Sequence, residues 1–560
     1  MNEPALGPLY RESALRRMGE KEYDVLVVGG GIVGAGAALD AASRGLTVAL
    51  VEANDWAAGS SSRSSKLIHG GLRYLEQFDF GLVREALKER HLLLTRLAPH
   101  LVWPVPFLYP LTHRLWERFY VGAGMTLYDF LGGLRAVMPR HRHLTRRGAL
   151  REAPALRPDS LVGALQYFDA HTDDARLAIA IVRTAARYGA AVANRVRAGS
   201  LLRDGERVVG AHVTDLESGR EMDVRARVVI GATGVWTDET LRMAGAGKSL
   251  TVKPSKGVHI VVRRDRLDLN TALILRTEKS VLFVIPWDDY WIIGTTDTPW
   301  TLARDHPVAS RADIDYILDH VNAVLTTPLG HDDVEGVYAG LRPLIAGAAT
   351  GTEKLSREHL VANPVPGLVT VSGGKYTTYR VMARDAVDAA AEELGSGVPE
   401  SATERLPLLG ATGYEAVWNG RRNLAERYGL GVGRMERLLR RYGSGVEELL
   451  EIVGADPALG EPLPAAPDYL RAEIVYAASH EQALHLADVL ARRTHVAIEQ
   501  RDRGLAAAPE AAALVAPVLG WDEETVRRET EEYRRLVHAE LAAESQPDDE
   551  HAEEALLSSG

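Results

Sequence analysis

Apolar and polar positions along the chain change period several times, and each change marks an element. Tyr23-Asp24-Val25-Leu26-Val27-Val28 is a short apolar run, as in a parallel strand covered on both faces. It leads into Gly29-Gly30-Gly31-Ile32-Val33-Gly34, and Ala35 to Gly45 then predicts a helix rich in small residues. Leu46 to Val51 is a second apolar run and ends at Glu52. Leu82, Ala86, Leu87, Leu93, Leu94 and Leu97 fall at helical spacing and predict an amphipathic helix over 80–100. Trp103 to Tyr109, rich in proline and aromatics, suits an extended strand or a sheet edge. A helix from Asp174 to Tyr188 precedes strands at Val192 to Val196 and Val208 to Val213, with a turn at Asp204-Gly205 between them. Further strands are predicted at Val228 to Gly234 and Val258 to Val262. Val281 to Ile285 and Tyr290 to Gly294 read as a hairpin around Trp287-Asp288-Asp289. Leu368 to Gly374 leads into a helix from Thr378 to about Leu394.

Beyond a linker at Gly395 to Pro407, segments rich in Ala, Leu, Arg and Glu predict helices at roughly 414–428, 433–442, 445–453, 467–478, 480–492, 509–518 and 522–543. At 560 residues the chain is too long for one ordinary core. The expected architecture is α/β plus α+β: a Rossmann-like dinucleotide-binding domain, an inserted antiparallel-sheet substrate domain and a C-terminal all-helical domain. The expected boundaries are 20–85, 165–250 and 335–395 for the first, 86–164 and 251–334 for the second and 400–543 for the third. The acidic 544–560 tail is expected to be disordered.

The opening strand–turn–helix–strand unit carries the first chemistry. Gly29, Gly31 and Gly34 fit G-x-G-x-x-G. The first glycine allows the tight turn, the second lets the backbone approach a pyrophosphate, and the third lets helix and strand pack closely. The helix N-terminus offers N–H groups and a positive dipole end to phosphates. Glu52, 23 residues after Gly29, is placed to accept hydrogen bonds from an adenosine ribose and to repel a 2′-phosphate, which disfavours NADP. The small-residue turn ending Val228 to Gly234 brings Ala232 and Thr233 to the pyrophosphate.

Composition narrows the options. Charged residues make up 25% and the net charge is −11, which argues against nucleic acid as the main partner. With no cysteine there are no disulfides, thiolate catalysis, Cys-ligated zinc, iron–sulfur clusters or cysteine-linked flavin, and no metal site is expected. The first 22 residues are charged throughout, unlike a signal peptide, and no run reaches the ~18 apolar residues that span a bilayer. The cytoplasm is the expected location. Between 135 and 151 stand six arginines and no carboxylate, which fits either a patch for anionic lipid or solvated surface.

After Glu52, where an NAD dehydrogenase would continue with regular elements, Ala57 to Lys66 forms a small-residue loop rich in hydroxyls. Such a loop can wrap a planar cofactor or act as a flexible linker. Six blocks then fall in order: Ser64 to Leu75, Asp173 to Leu177, Lys256 to Val261, Ile293 to Asp297, Gly340 to Leu344 and Gly373 to Arg380. From about Tyr23 to Leu394 the chain resembles the flavin-dependent, NAD-independent glycerol-3-phosphate dehydrogenases; one departure is Gly257, where that family often has serine.

The resemblance implies non-covalent FAD, oxidation of glycerol 3-phosphate to dihydroxyacetone phosphate with hydride passing to flavin N5, and electrons passed to a quinone. It also implies peripheral contact with the inner face of the membrane and a homodimer. By position it gives a substrate site of Arg73, Tyr74, His259, Arg342, Arg357 and Lys375. Arg73, Arg357 and Lys375 would hold the phosphate, with Tyr74 donating a hydrogen bond. His259 would take the alcohol proton, and Arg342 would stabilise the developing oxyanion. Ser64, Ser65, Lys66, His69, Gly70, Gly374 and Thr377 join the fingerprint as cofactor-binding candidates; His69 is a second candidate base. Three other readings stay open: an oxidase of the same substrate that uses oxygen, an amine or amino-acid oxidase, and an RNA-binding flavoprotein.

Overall fold

The computed structural model describes residues 5–71, 79–113, 116–132, 138–246, 251–278, 281–345, 359–395 and 397–559. Arg73, Tyr74, Arg135 and Arg357 lie outside these residues. Helix α1 (Pro8–Glu20) precedes β1 (Glu22–Val28), α2 (Ile32–Ser43) and β2 (Val48–Val51), the βαβ unit that the apolar runs predict. Helices α3 (Phe80–Leu92) and α4 (Trp116–Leu131) flank β3 (Val102–Leu111), and β4 (Gly163–Thr172) leads to α5 (Asp174–Arg187) and β5 (Ala191–Ala193). A hairpin of β6 (Val196–Asp204) and β7 (Arg207–Asp215) runs on into β8 (Glu221–Gly231).

Then come β9 (Val252–Arg263), β10 (Ala272–Arg276), β11 (Val281–Trp287), β12 (Tyr290–Gly294), α6 (Arg311–Asn322) and β13 (Val334–Ile345). Strands β14 (His359–Val365) and β15 (Leu368–Gly373) precede α7 (Tyr379–Leu394).

The strands form two large sheets. In the first, β15, β8, β1, β2 and β5 run parallel in that order, with β14 antiparallel at the edge. Val25, Val27, Leu50 and Val228 on one face and Leu26, Ala49 and Val229 on the other are all 0% exposed, so both faces of this sheet are covered and the unbroken apolar runs are explained. In the second, the order is β9, β12, β11, β10, β3, β4, and β13 pairs along the other side of β9. The β9–β13 register is Ser255 with Arg342, Gly257 with Gly340 and His259 with Tyr338. Opposed residues share a face, so these six side-chain positions look the same way.

Several expectations need correction. Strands β4 and β13 belong to the second sheet, so the boundaries expected at 165 and 335 fall on the wrong side of these strands. The proline-rich β3 is not an edge, since it pairs with β4 along its length and with β10 at Phe107 and Leu108. Neither of those two is a proline, which is how the strand keeps both neighbours. The C-terminal region is mainly helical but includes a two-stranded sheet of Pro462–Leu463 and Ala466–Leu470. The tail after α8 (Glu523–Glu544) is not disordered: it forms α9 (Asp549–Ser559), with Ala552 fully buried. Two of its acidic residues, Asp549 and Glu553, have partners elsewhere in the fold, a compensation that composition alone does not reveal.

The C-terminal region is tied to the first sheet through two buried ion pairs and a buried histidine–carboxylate contact. Arg493 Nη1 lies 2.6 Å from Asp55, Arg176 Nη1 2.6 Å from Glu481, and His495 Nε2 2.7 Å from Asp173. Removing one partner of such a pair leaves a buried charge, which typically costs ~3–5 kcal/mol.

Candidate active site

A single cavity of about 1170 Å³ runs from the end of β2 along the N-terminus of α2 to the face shared by β9 and β13. Gly29, Gly31, Glu52, Ser64, Ser65, His69, Ala232, Thr233, Gly374 and Lys375 line it, together with His259 and Arg342. These twelve sequence-predicted candidates are thus gathered from two sheets into one space.

At the cradle end, the glycines are required by contact. Gly29 has φ +112°, and a Cβ there would lie 2.6 Å from the Ala232 carbonyl oxygen. A Cβ at Gly34 would lie 1.8 Å from the Gly29 oxygen, so Gly34 works by close packing and does not line the cavity. Nothing larger fits at either position, and the backbone is left open to the cavity at the start of α2. Ile32 N donates to Ser61 Oγ at 2.9 Å, which anchors the hydroxyl-rich loop over that helix end and removes the linker reading. Glu52 accepts from Gly30 N at 2.6 Å and from Asn54 N at 2.7 Å, and burial raises its pKa. A carboxylate has about four lone-pair sites, so two remain for a ribose. A long cavity with an amide-lined glycine turn at one end and an acid just beyond fits a dinucleotide such as FAD.

At the other end, His259 on β9 is 2% exposed. Its Nε2 lies 2.8 Å from Ser65 Oγ, and its ring stacks on Tyr338 at 4.8 Å between centroids. Its Nδ1 is buried without a hydrogen-bond partner among the described residues. Burial, then the charges of Arg342 and Lys66, hold its pKa well below the ordinary imidazole value. The ring is therefore neutral, with a lone pair to accept a proton. Arg342 Nη2 donates to Thr295 Oγ1 at 2.9 Å and to the Thr296 carbonyl at 3.2 Å, and Nη1 lies 3.4 Å from Asp297 Oδ1. Gly257 makes room for this: a Cβ there would lie 2.5 Å from Arg342 Nη2 and 2.6 Å from Thr295 Oγ1.

Some expected cofactor contacts fall elsewhere. Lys66 is 1% exposed and pairs with Asp174 Oδ1 at 2.5 Å, so it fixes the loop from beneath and does not line the cavity. Gly70 is also outside the lining; its N–H donates to Tyr128 OH at 2.9 Å. Thr377 Oγ1 accepts from His69 N at 3.1 Å and so acts behind the wall. Conversely, Ser61 and Arg63 of the loop expected to wrap a cofactor also line the cavity, although neither is singled out by the sequence, and Tyr338 has no place in the sequence-based expectations. Counting back two residues at a time from Arg342 along β13 reaches Gly340 and then Tyr338, so the period-2 signal for Tyr338 was present. No metal-binding group of His, Asp or Glu occurs among the described residues.

Comparison with known proteins places the chain in a family. Residues 24–380 match the family model for FAD dependent oxidoreductases, and 401–526 match the C-terminal domain of alpha-glycerophosphate oxidase. Glycerol-3-phosphate dehydrogenase 2 of Mycobacterium tuberculosis is 55% identical over 98% of this chain and 94% of that protein. The human mitochondrial glycerol-3-phosphate dehydrogenase is 36% identical over 96% of this chain and 76% of its own length. The crystal structure of the Bacillus halodurans glycerol-3-phosphate dehydrogenase complexed with FAD superposes with a TM-score of 0.78 at 30% identity, covering 95% of this chain and 97% of that one.

Proposed function

The chain belongs to the FAD-dependent glycerol-3-phosphate dehydrogenases, and from that premise we propose how its own residues carry out the reaction. It oxidises glycerol 3-phosphate to dihydroxyacetone phosphate with FAD. When bound, FAD supplies a two-electron acceptor for the hydrogen on C2 of the substrate. Gly29, Gly31, Ala232 and Thr233 would hold its pyrophosphate and Glu52 its ribose, while Ser64, Ser65, His69 and Gly374 would hold the rest.

The observation that carries the residue assignment is that His259 and Arg342 share one face of β9 and β13 and look into the cavity that begins at the glycine turn. As the C2 hydrogen leaves, the alcohol must lose its proton, and His259, kept neutral by its surroundings, takes it. Arg342 stabilises the negative charge that builds on the C2 oxygen. Lys375 contributes a point charge to the phosphate dianion, joined by Arg73 and Arg357 as guanidinium forks and by Tyr74 as a donor.

We further infer a quinone as electron acceptor, reached at a membrane surface. Helix α4 supports this. Trp116, Phe119, Tyr120 and Phe130 recur at helical spacing and are 55–74% exposed, while Val121, Met125 and Tyr128 on the other side are buried. Tyr120, Val121, Ala123, Gly124 and Leu127 of the same helix line the cavity, so its apolar face meets both solvent and the site. Exposed Arg140, Arg142, Arg146, Arg147 and Arg151 follow, giving the pairing of aromatic anchors with cationic charge that suits an anionic bilayer surface. No described helix is long and apolar enough to cross a membrane. The test compares acceptors: reduction of a quinone analogue should outpace peroxide release by at least about tenfold, and peroxide accounting for all turnover would replace the quinone with oxygen.

A further inference from the structure

The tail helix α9 reaches the proposed active site through a buried lysine. Lys256 lies on β9, three residues before His259, and is fully buried. Its Nζ donates to Asp313 Oδ2 at 2.5 Å, to the Val308 carbonyl at 3.4 Å and to Asp549 of α9, and it sits 5.1 Å from the Trp300 ring. Asp549 also accepts from Ser310 Oγ at 3.0 Å. Around this centre the α8–α9 unit grips the segment that joins β12 to α6. Glu540 bonds His306 Nε2 at 2.8 Å, Glu553 accepts from Ala303 N at 2.6 Å, and the Gln546 carbonyl accepts from Arg311 N at 2.8 Å.

That segment begins with the residues that seat Arg342. Thr295 and Thr296 accept from its guanidinium, and Asp297 lies 3.4 Å from it and bonds Ser255. Lys256 itself presents its backbone oxygen 3.5 Å from Arg342 Nη1. Both ends of the seat, the 295–297 turn and the β9 backbone, are therefore fixed from behind by α8–α9. A buried lysine left with one fewer carboxylate would draw in water or shift toward Asp313, and the segment around it would loosen.

We propose that the C-terminal α8–α9 unit clamps the 295–310 segment so that Arg342 is held at the reacting carbon, with Asp549 as the positioning residue that acts through Lys256. This rests on the assignment of Arg342 above. The clamp gives the C-terminal domain a part in turnover that its fold alone does not suggest.

The test is a double-mutant cycle on the FAD-loaded full chain. Asp549→Asn keeps the shape and removes the charge; a chain ending at Gln546 removes α9 altogether. Each should lower kcat about three- to tenfold with little change in FAD content, and each should have almost no effect in an Arg342→Ala background. Amide exchange over 297–311 should speed up in both variants. Equal losses with and without Arg342, parental turnover and exchange in both variants, or loss of FAD as the main defect would each overturn the clamp. An Arg342→Ala enzyme with parental kcat would instead overturn the assignment of Arg342.

Discussion

Ser65 Oγ lies 2.8 Å from His259 Nε2, so the hydroxyl-rich loop after the βαβ unit is hydrogen-bonded to the strand that carries the proposed base. The loop is pinned independently by Ser61 on the α2 N-terminus and by Lys66 on Asp174. Ser65→Ala should therefore lower the kcat of the FAD-loaded enzyme about tenfold, the worth of one orienting hydrogen bond of ~1.4 kcal/mol. Unchanged kcat would show that the stack on Tyr338 is enough to orient the ring.

His259 also predicts a pH dependence. A base that works when neutral loses activity as pH falls through its pKa, and burial with Arg342 and Lys66 nearby lowers that pKa. The acid limb of kcat/KM should lie below the ordinary imidazole value of about 6.5. A limb at or above that value would contradict the neutral-base assignment. His259→Ala should lower turnover far more than it raises KM.

Gly257→Ala tests the seat of Arg342. The added Cβ would meet Arg342 Nη2 at 2.5 Å, and the far end of a flexible side chain can move aside. The protein should fold and bind FAD while kcat drops about tenfold, because the guanidinium has left its threonine and aspartate partners. Parental kcat would show that the charge on C2 does not depend on this placement.

His485 joins the C-terminal domain to the first sheet. Its Nε2 lies 3.0 Å from Glu217 and its Nδ1 3.0 Å from Glu529, and these partners push its pKa up to about 10 against the burial that lowers it. A folded-state pKa above the unfolded one gives stability that is complete below about 6.5 and fades as pH rises through about 10. His485→Gln should cost several degrees of Tm at pH 6, and that penalty should shrink steadily toward pH 10. A penalty independent of pH would assign the residue a packing role only.

The parallel strands, the glycine turn and the strand bearing His259 were legible because each depends on local period or local sterics; Arg342 followed only from the family blocks, and its place opposite Ser255 on a shared face emerged with the sheet register. What stayed hidden depends on partners far apart in the chain. Lys66 read as a cofactor contact because nothing local reveals Asp174, 108 positions away. The tail read as disordered because Lys256 and the Ala303 amide, which meet Asp549 and Glu553, lie more than 240 positions earlier. The aromatic stripe of α4 has a helical period, yet only the fold shows that the stripe borders the cavity.

The most direct measurement is anaerobic titration of the purified, FAD-loaded chain with glycerol 3-phosphate, following the flavin absorbance. One equivalent should bleach the yellow protein in the parent, and the Arg342→Ala and His259→Ala variants should bleach at least about a hundred times more slowly. A chain that refuses FAD, or variants that bleach at the parental rate, would contradict the account.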